Sequence, residues 1–162
     1  MAVLLGLSLV VTSSGPAEAH SFRWGMPSAR QQIRPYDYNP TWQTAMDRAL
    51  SNWNVTPTPA YFPKGSSPNT ITARSYSDSW YGRYERWINT SGYYFKIKLN
   101  SRRITASATN FSNFVTSVLV HELGHGLRLG HNSGTSIMND RRNRNSLTKP
   151  QQHDIDDVNA YY

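Results

Sequence analysis

Between residues 121 and 131 the chain reads HELGHGLRLGH, which gathers three of its five histidines and one of its three glutamates. His121 and His125 are four residues apart. On a helix that spacing places both imidazoles on one face, a turn apart, where they can reach a single ion. Glu122 lies about 100° further round the helix. There it flanks the open side of such an ion and can take a proton from bound water. His131 follows six residues after His125, just behind Gly130, so the chain can leave the helix and bring back a third ligand. Three neutral imidazoles leave a fourth position for water, the arrangement of a catalytic zinc site. Two surface histidines on an amphipathic helix would explain the first pentapeptide alone, but not the third histidine. The chain has no cysteine, which excludes thiolate metal sites and disulfides.

The elements that must position these residues can be read around them. Phe111, Phe114, Val115, Val118 and Leu119 lead into the motif at helical spacing, with Asn110 or Ser112 available as a cap. An earlier helix is predicted in NPTWQTAMDRALSNWN, capped by Asn39, with Pro40 in the first turn. Its stripe of Trp42, Ala45, Met46, Ala49, Leu50 and Trp53 is expected to pack on a sheet. Residues 20–38 look extended, since Pro27 and Pro35 prevent long helices. Residues 55–69, rich in Pro, Gly and Ser, read as a loop. Strand-like runs occupy 70–76, 81–88 and 93–100, and NTSG between the last two suggests a hairpin. A final helix is predicted over 148–162. Thr148 and Gln151 form its capping box, and Ile155, Val158 and Tyr162 its inward stripe.

The run from His121 to His131, followed by Ser136-Ile137-Met138, closely resembles the signature of the metzincin zinc peptidases. The rest of the chain resembles a matrixin catalytic domain over roughly 20–162, although only 121–138 is highly specific. The resemblance implies an α+β fold of metzincin type, with a mixed twisted sheet of about five strands, three helices, a zinc helix and a Met-turn. It implies a zinc-dependent endopeptidase in which His121, His125 and His131 hold one catalytic zinc. Glu122 would be the general base that activates the zinc-bound water. Met138 would form an apolar floor beneath the histidines, and Asp154 would accept hydrogen bonds from the Met-turn backbone. Substrate would pair with the edge strand 81–88, and residues 139–142 would wall the pocket beyond the cut bond. Matrixins also carry a structural zinc and calcium. The corresponding region of this chain, just upstream of the motif, offers no histidine and few acids (Asp78, Glu85), so neither ion is expected. The chain departs from the pattern at Arg128, where metzincins have glycine in a left-handed turn. Asp140 stands where some members have an additional tyrosine ligand. Neither His153 nor Asp140 has the spacing of a third histidine ligand.

Residues 1–19 read as a signal peptide, with the apolar run AVLLGLSLVV and an A-x-A site at 17–19, although no Lys or Arg precedes the run. Secretion is therefore expected, with residues 20–162 forming one peptidase domain that acts as a monomer. Without residues 1–19, which hold one acid and no base, the formal charge rises from +7 to +8. That balance suits association with anionic surfaces. Nucleic acid is not expected as a partner, because no binding motif accompanies the charge. The expected partner is a protein or peptide substrate. The alternative is a metzincin-fold binding module of low activity, holding anionic polymers through its cationic surface. Arg128 and the arginines after Met138 favour that alternative. Glu122 favours the enzyme, since a binder has no need of a base beside the metal.

Overall fold

The computed structural model describes residues 22–162. The signal-peptide reading of 1–19 lies outside the described residues. Helix α1 (Pro40–Asn54) starts where Asn39 Oδ1 accepts from the Trp42 amide at 3.3 Å. Three strands follow: β1 (Thr70–Arg74), β2 (Gly82–Asn89) and β3 (Gly92–Asn100). They form one sheet in the order β1-β3-β2, with β1 parallel and β2 antiparallel to the central β3. Gly92, at φ +109°, makes the β2–β3 turn that a side chain would strain. β3 alternates as a half-covered strand must. Phe95, Ile97 and Leu99 are fully buried, while Lys96 and Lys98 point to the other face. Three helices complete the chain: α2 (Ser101–Ser107), α3 (Phe111–Gly126) and α4 (Gln152–Tyr161).

This is an α+β fold, but the metzincin-like sheet of about five strands with three helices is not what the chain forms. Among the described residues there are three strands and four helices. The expected extra strand material lies in 22–38, where Arg30 and Ile33 make only single parallel bridges, to Tyr61 and Lys64. Prolines at 27, 35 and 63 lack the N–H that a continuous ladder requires. The additional helix, α2, begins where Asn100 Oδ1 accepts from the Arg103 amide, and only Ile104 is buried in it. Helix α4 is capped differently from the reading of Thr148 with Gln151. The Gln151 amide donates to Asp154 Oδ2 at 2.7 Å, and Thr148 instead gives its carbonyl to Asn52.

The core centres on α3, which is buried from Phe114 through Gly126. A helix covered on all sides needs neighbours on all sides. The sheet covers one flank, through β2 and β3, and α1 covers another. The apolar stripe of α1 therefore packs on α3 and not on the sheet, as its periodicity alone had suggested. Trp53 is fully buried there, and its indole N–H donates to the Val120 carbonyl at 2.9 Å. Arg48 crosses the same seam, donating to Thr116 Oγ1 at 3.0 Å and Asn113 Oδ1 at 2.8 Å. These contacts hold the helix that carries the histidines.

Trp53 separates packing from hydrogen bonding at this seam. Trp53→Ala should cost about 3–5 kcal/mol of folding stability. Trp53→Phe, which keeps an aromatic ring and removes the donor, should cost nearer about 1 kcal/mol beyond the lost volume. Chemical denaturation of both variants checks the ranking, and equal losses would contradict it.

Candidate metal centre

His121, Glu122 and His125 occupy the last turns of α3, and how that helix ends decides where His131 falls. The Leu129 amide donates to the Gly124 carbonyl and the Arg128 amide to the His125 carbonyl, at 3.0 and 3.1 Å. That pair of bonds is a Schellman closure, which needs a left-handed residue just past the helix. Arg128 supplies it with φ 69°, the one non-glycine residue with positive φ among those described. The strain costs about 1 kcal/mol. It is offset by contacts around Arg128. Its carbonyl accepts from the Phe22 amide, and its guanidinium lies 5.7 Å over the Tyr161 ring. The chain therefore turns back as a glycine would allow, and His131 returns to the other two histidines.

The ligand atoms of His121, His125 and His131 all lie within 4.8 Å of one another, close enough to hold a metal ion. The Nε2 atoms of His121 and His131 are 3.2 Å apart. Metal–nitrogen bonds of about 2.0–2.1 Å in a tetrahedron require separations close to that value. The other ring nitrogens are occupied. Nδ1 of His121 faces the Ile137 carbonyl at 2.9 Å, and Nδ1 of His125 faces the Leu129 carbonyl at 2.9 Å. Nδ1 of His131 lies 3.1 Å from Asp140 Oδ2. Carbonyl and carboxylate acceptors of this kind fix the tautomer and leave Nε2 for an ion. Burial pushes His125 down to about 4 and His121 well below the usual imidazole value, so both stand neutral, as ligands must. The donor set thus fits a borderline metal such as zinc.

Glu122 is buried against the start of β2. A methyl group at Gly82 would lie 2.5 Å from Glu122 Oε1, so glycine there lets the strand approach the carboxyl. Burial pushes this group up to about 8, opposed by the Arg142 charge and by a hydrogen bond from the Tyr84 backbone. The three histidines and Glu122 open on a cleft of about 430 Å³, walled by Tyr81, Gly82 and Tyr84 on one side. The indole N–H of Trp80, also on the cleft, has no hydrogen-bond partner.

Beneath the site, Met138 is fully buried, and a methyl group at Gly124 would lie 2.5 Å from its sulfur. Asp154, 1% exposed, takes the Ile137 amide at 2.9 Å and the Ser136 hydroxyl. The Ile137 carbonyl in turn meets His121, so α4 braces a metal-facing side chain through the turn. His153 is elsewhere, with Nε2 3.6 Å from Asp157 on its own helix.

Sequence reasoning weighed Asp140 as a substitute ligand and placed it in the pocket wall, which it lines, but missed its contact with His131. It also missed Tyr84, whose backbone reaches Glu122 from another element. Arg142, expected in a pocket wall, does line the cleft but is largely buried there. Its Nε donates to Ser117 Oγ at 3.1 Å, while Arg141 is exposed. A pairing 25 residues apart leaves no local signal. No protein-family model matches the chain, and a search of curated proteins finds no match to it. Among the described residues no helix is long and apolar enough to cross a membrane.

Metal titration tests the cluster. His131→Ala should weaken zinc binding by more than the about 10–100-fold typical of losing an outer partner. His153→Ala should leave it unchanged, and the reverse order would displace His131 from the site. Glu122 also gives a pH signature. Its raised folded value means that the metal-free chain loses stability as pH climbs toward about 8. The buried histidines act in the opposite sense, but below the ordinary imidazole value. Urea unfolding of the metal-free chain should therefore show stability falling between about pH 7 and 8, with that slope absent in Glu122→Gln.

Proposed function

We propose that this chain is a secreted zinc-dependent endopeptidase acting as a monomer. The observation that carries the reading is a buried carboxyl, Glu122, beside three converged imidazoles at the floor of an open cleft. The likeness of residues 121–138 to the metzincin signature supports it. Export rests on the leader-like composition of residues 1–19. Zinc held by His121, His125 and His131 would supply Lewis acidity, making water easier to deprotonate and the peptide carbonyl easier to attack.

The chain's own groups do the rest. Glu122 takes a proton from the attacking water and delivers it to the departing amine. The Tyr84 amide orients the carboxyl. β2 lies at the sheet edge above α3, and its outer side pairs with no strand among the described residues. An extended peptide can add there as a further strand and pass over the histidines, with backbone hydrogen bonds supplying the grip.

A second reading, a binding module for anionic polymers, draws on one surface feature. Arg86 sits between the exposed rings of Trp24 and Tyr93, at 5.2 and 4.3 Å, and Lys96 lies 5.1 Å over Trp87. Such cation–aromatic pairs suit a charged polymer. They lie apart from Glu122 and do not account for it.

Metal content per chain and casein hydrolysis, with and without chelator, separate the two readings. Glu122→Gln should keep the metal and the fold while lowering turnover by about a thousandfold or more. Turnover above a tenth of the parent would remove Glu122 from its role.

A further inference from the structure

We infer that the cleft selects substrates by a carboxylate next to the bond to be cut, held by Arg142 and Arg144, an inference that rests on the peptidase reading. Arg142 is only 8% exposed, yet all its hydrogen-bond partners are neutral. Nε donates to Ser117 Oγ at 3.1 Å, Nη2 to the Ser117 carbonyl at 3.0 Å and Nη1 to the Asn139 carbonyl at 3.1 Å. Nη1 also lies 3.2 Å from His121 Nδ1. Among the described residues no carboxylate stands within ion-pair distance of this guanidinium. The three nearby acids have other contacts. Asp140 faces His131, Asp154 holds the turn at 136–137, and Glu122 takes the Tyr84 amide. Glu122, Asp140 and Asp154 act on this charge from a distance, but none pairs with it directly, and a buried charge lacking a direct partner is costly unless a ligand completes it.

The geometry says what kind of ligand. Of the five N–H donors of Arg142 only one, on Nη2, is unassigned, so it can give one carboxylate oxygen a charge-assisted bond, and Arg144 on the same cleft can meet the other. Arg142 lines the cleft together with Arg144 and Arg83. Arg144 is half-buried, fixed by its Nη2 bond to the Asp140 carbonyl at 2.9 Å and by the Tyr81 ring 5.0 Å away. One further contact locates the carboxylate along the substrate. The Arg142 guanidinium touches the back of His121, so a group that reaches it lies one imidazole away from the metal position. That group belongs to a residue flanking the cut bond. It is either an aspartate or glutamate side chain or the free α-carboxylate of a peptide ending there.

The test uses the full-length, zinc-loaded chain and fluorogenic peptides that differ only beside the cut bond. Glu should exceed Gln and Leu in kcat/KM by about tenfold or more, as expected for a charge-assisted hydrogen-bond pair. A free C-terminus tested against its amide tells the side chain from the chain end, because only the true source shows the preference. Arg144→Gln and Arg142→Gln should each bring the preference toward unity. Arg141→Gln, which is exposed and outside the cleft, should leave it in place. Equal rates for Glu and Gln and for acid and amide, or a preference that survives both cleft variants, overturns the inference. If no peptide is cut, the peptidase reading fails by itself. The carboxylate reader is then judged by fluorescence anisotropy on Glu122→Gln, where equal affinity for the Glu and Gln peptides would overturn it.

Discussion

The buried carboxylate of Asp154 is the contact on which the rest of the site depends. A carboxylate 1% exposed persists only if donors surround it, and the donors here are the Ser136 hydroxyl, the Ile137 amide and the Gln151 amide. Three separate jobs are done by this one group. It starts α4, pins the turn 136–138 to that helix, and fixes the direction of the Ile137 carbonyl that meets His121. Met138 then seats against Gly124 on the underside of α3. The histidine helix is thus gripped from below by a segment that is itself tied to the C-terminal helix.

A second constraint acts at the other end of the motif. The left-handed residue after α3 aims the Leu129 carbonyl at His125 and brings His131 back over the helix end. Two of the three imidazoles are therefore oriented by main-chain carbonyls, from 137 and from 129. Main-chain orientation resists side-chain drift, which suits a cluster whose function depends on tenths of an ångström. The strain at Arg128 is tolerated because residues at the start of the described chain and at its end both contact it.

What the sequence made legible was local. The spacing of His121, His125 and His131, the cap of α1, and the hairpin at 89–92 are short-range patterns, and each describes an element that forms. The larger sheet came from likeness to a family and not from periodicity in the chain, and the prolines of 22–38 overrule it. Helix α2 escaped notice because one buried residue in seven gives no stripe to recognise. Arg128 was legible as a departure, while its consequence was not, since the tolerance for positive φ depends on Phe22 and Tyr161. Arg142 does wall the cleft, but its burial against Ser117 was not legible, because nothing in its own neighbourhood announces that partner. Pairings across the fold carry no period, so these were the features that only coordinates reveal.

The three histidines are not equally sheltered. His121 and His125 lie beneath the surface, while the His131 side chain is 52% exposed and, beyond its sister rings, is supported by Asp140, itself 57% exposed. An ion held by all three would therefore have one ligand that can swing into solvent without disturbing the core. All three imidazoles contribute to how tightly an ion is kept, and the exposed one is the ligand that can let go first. Entry of a metal ion and its removal by a small chelator would then both pass the loop from 129 to 140.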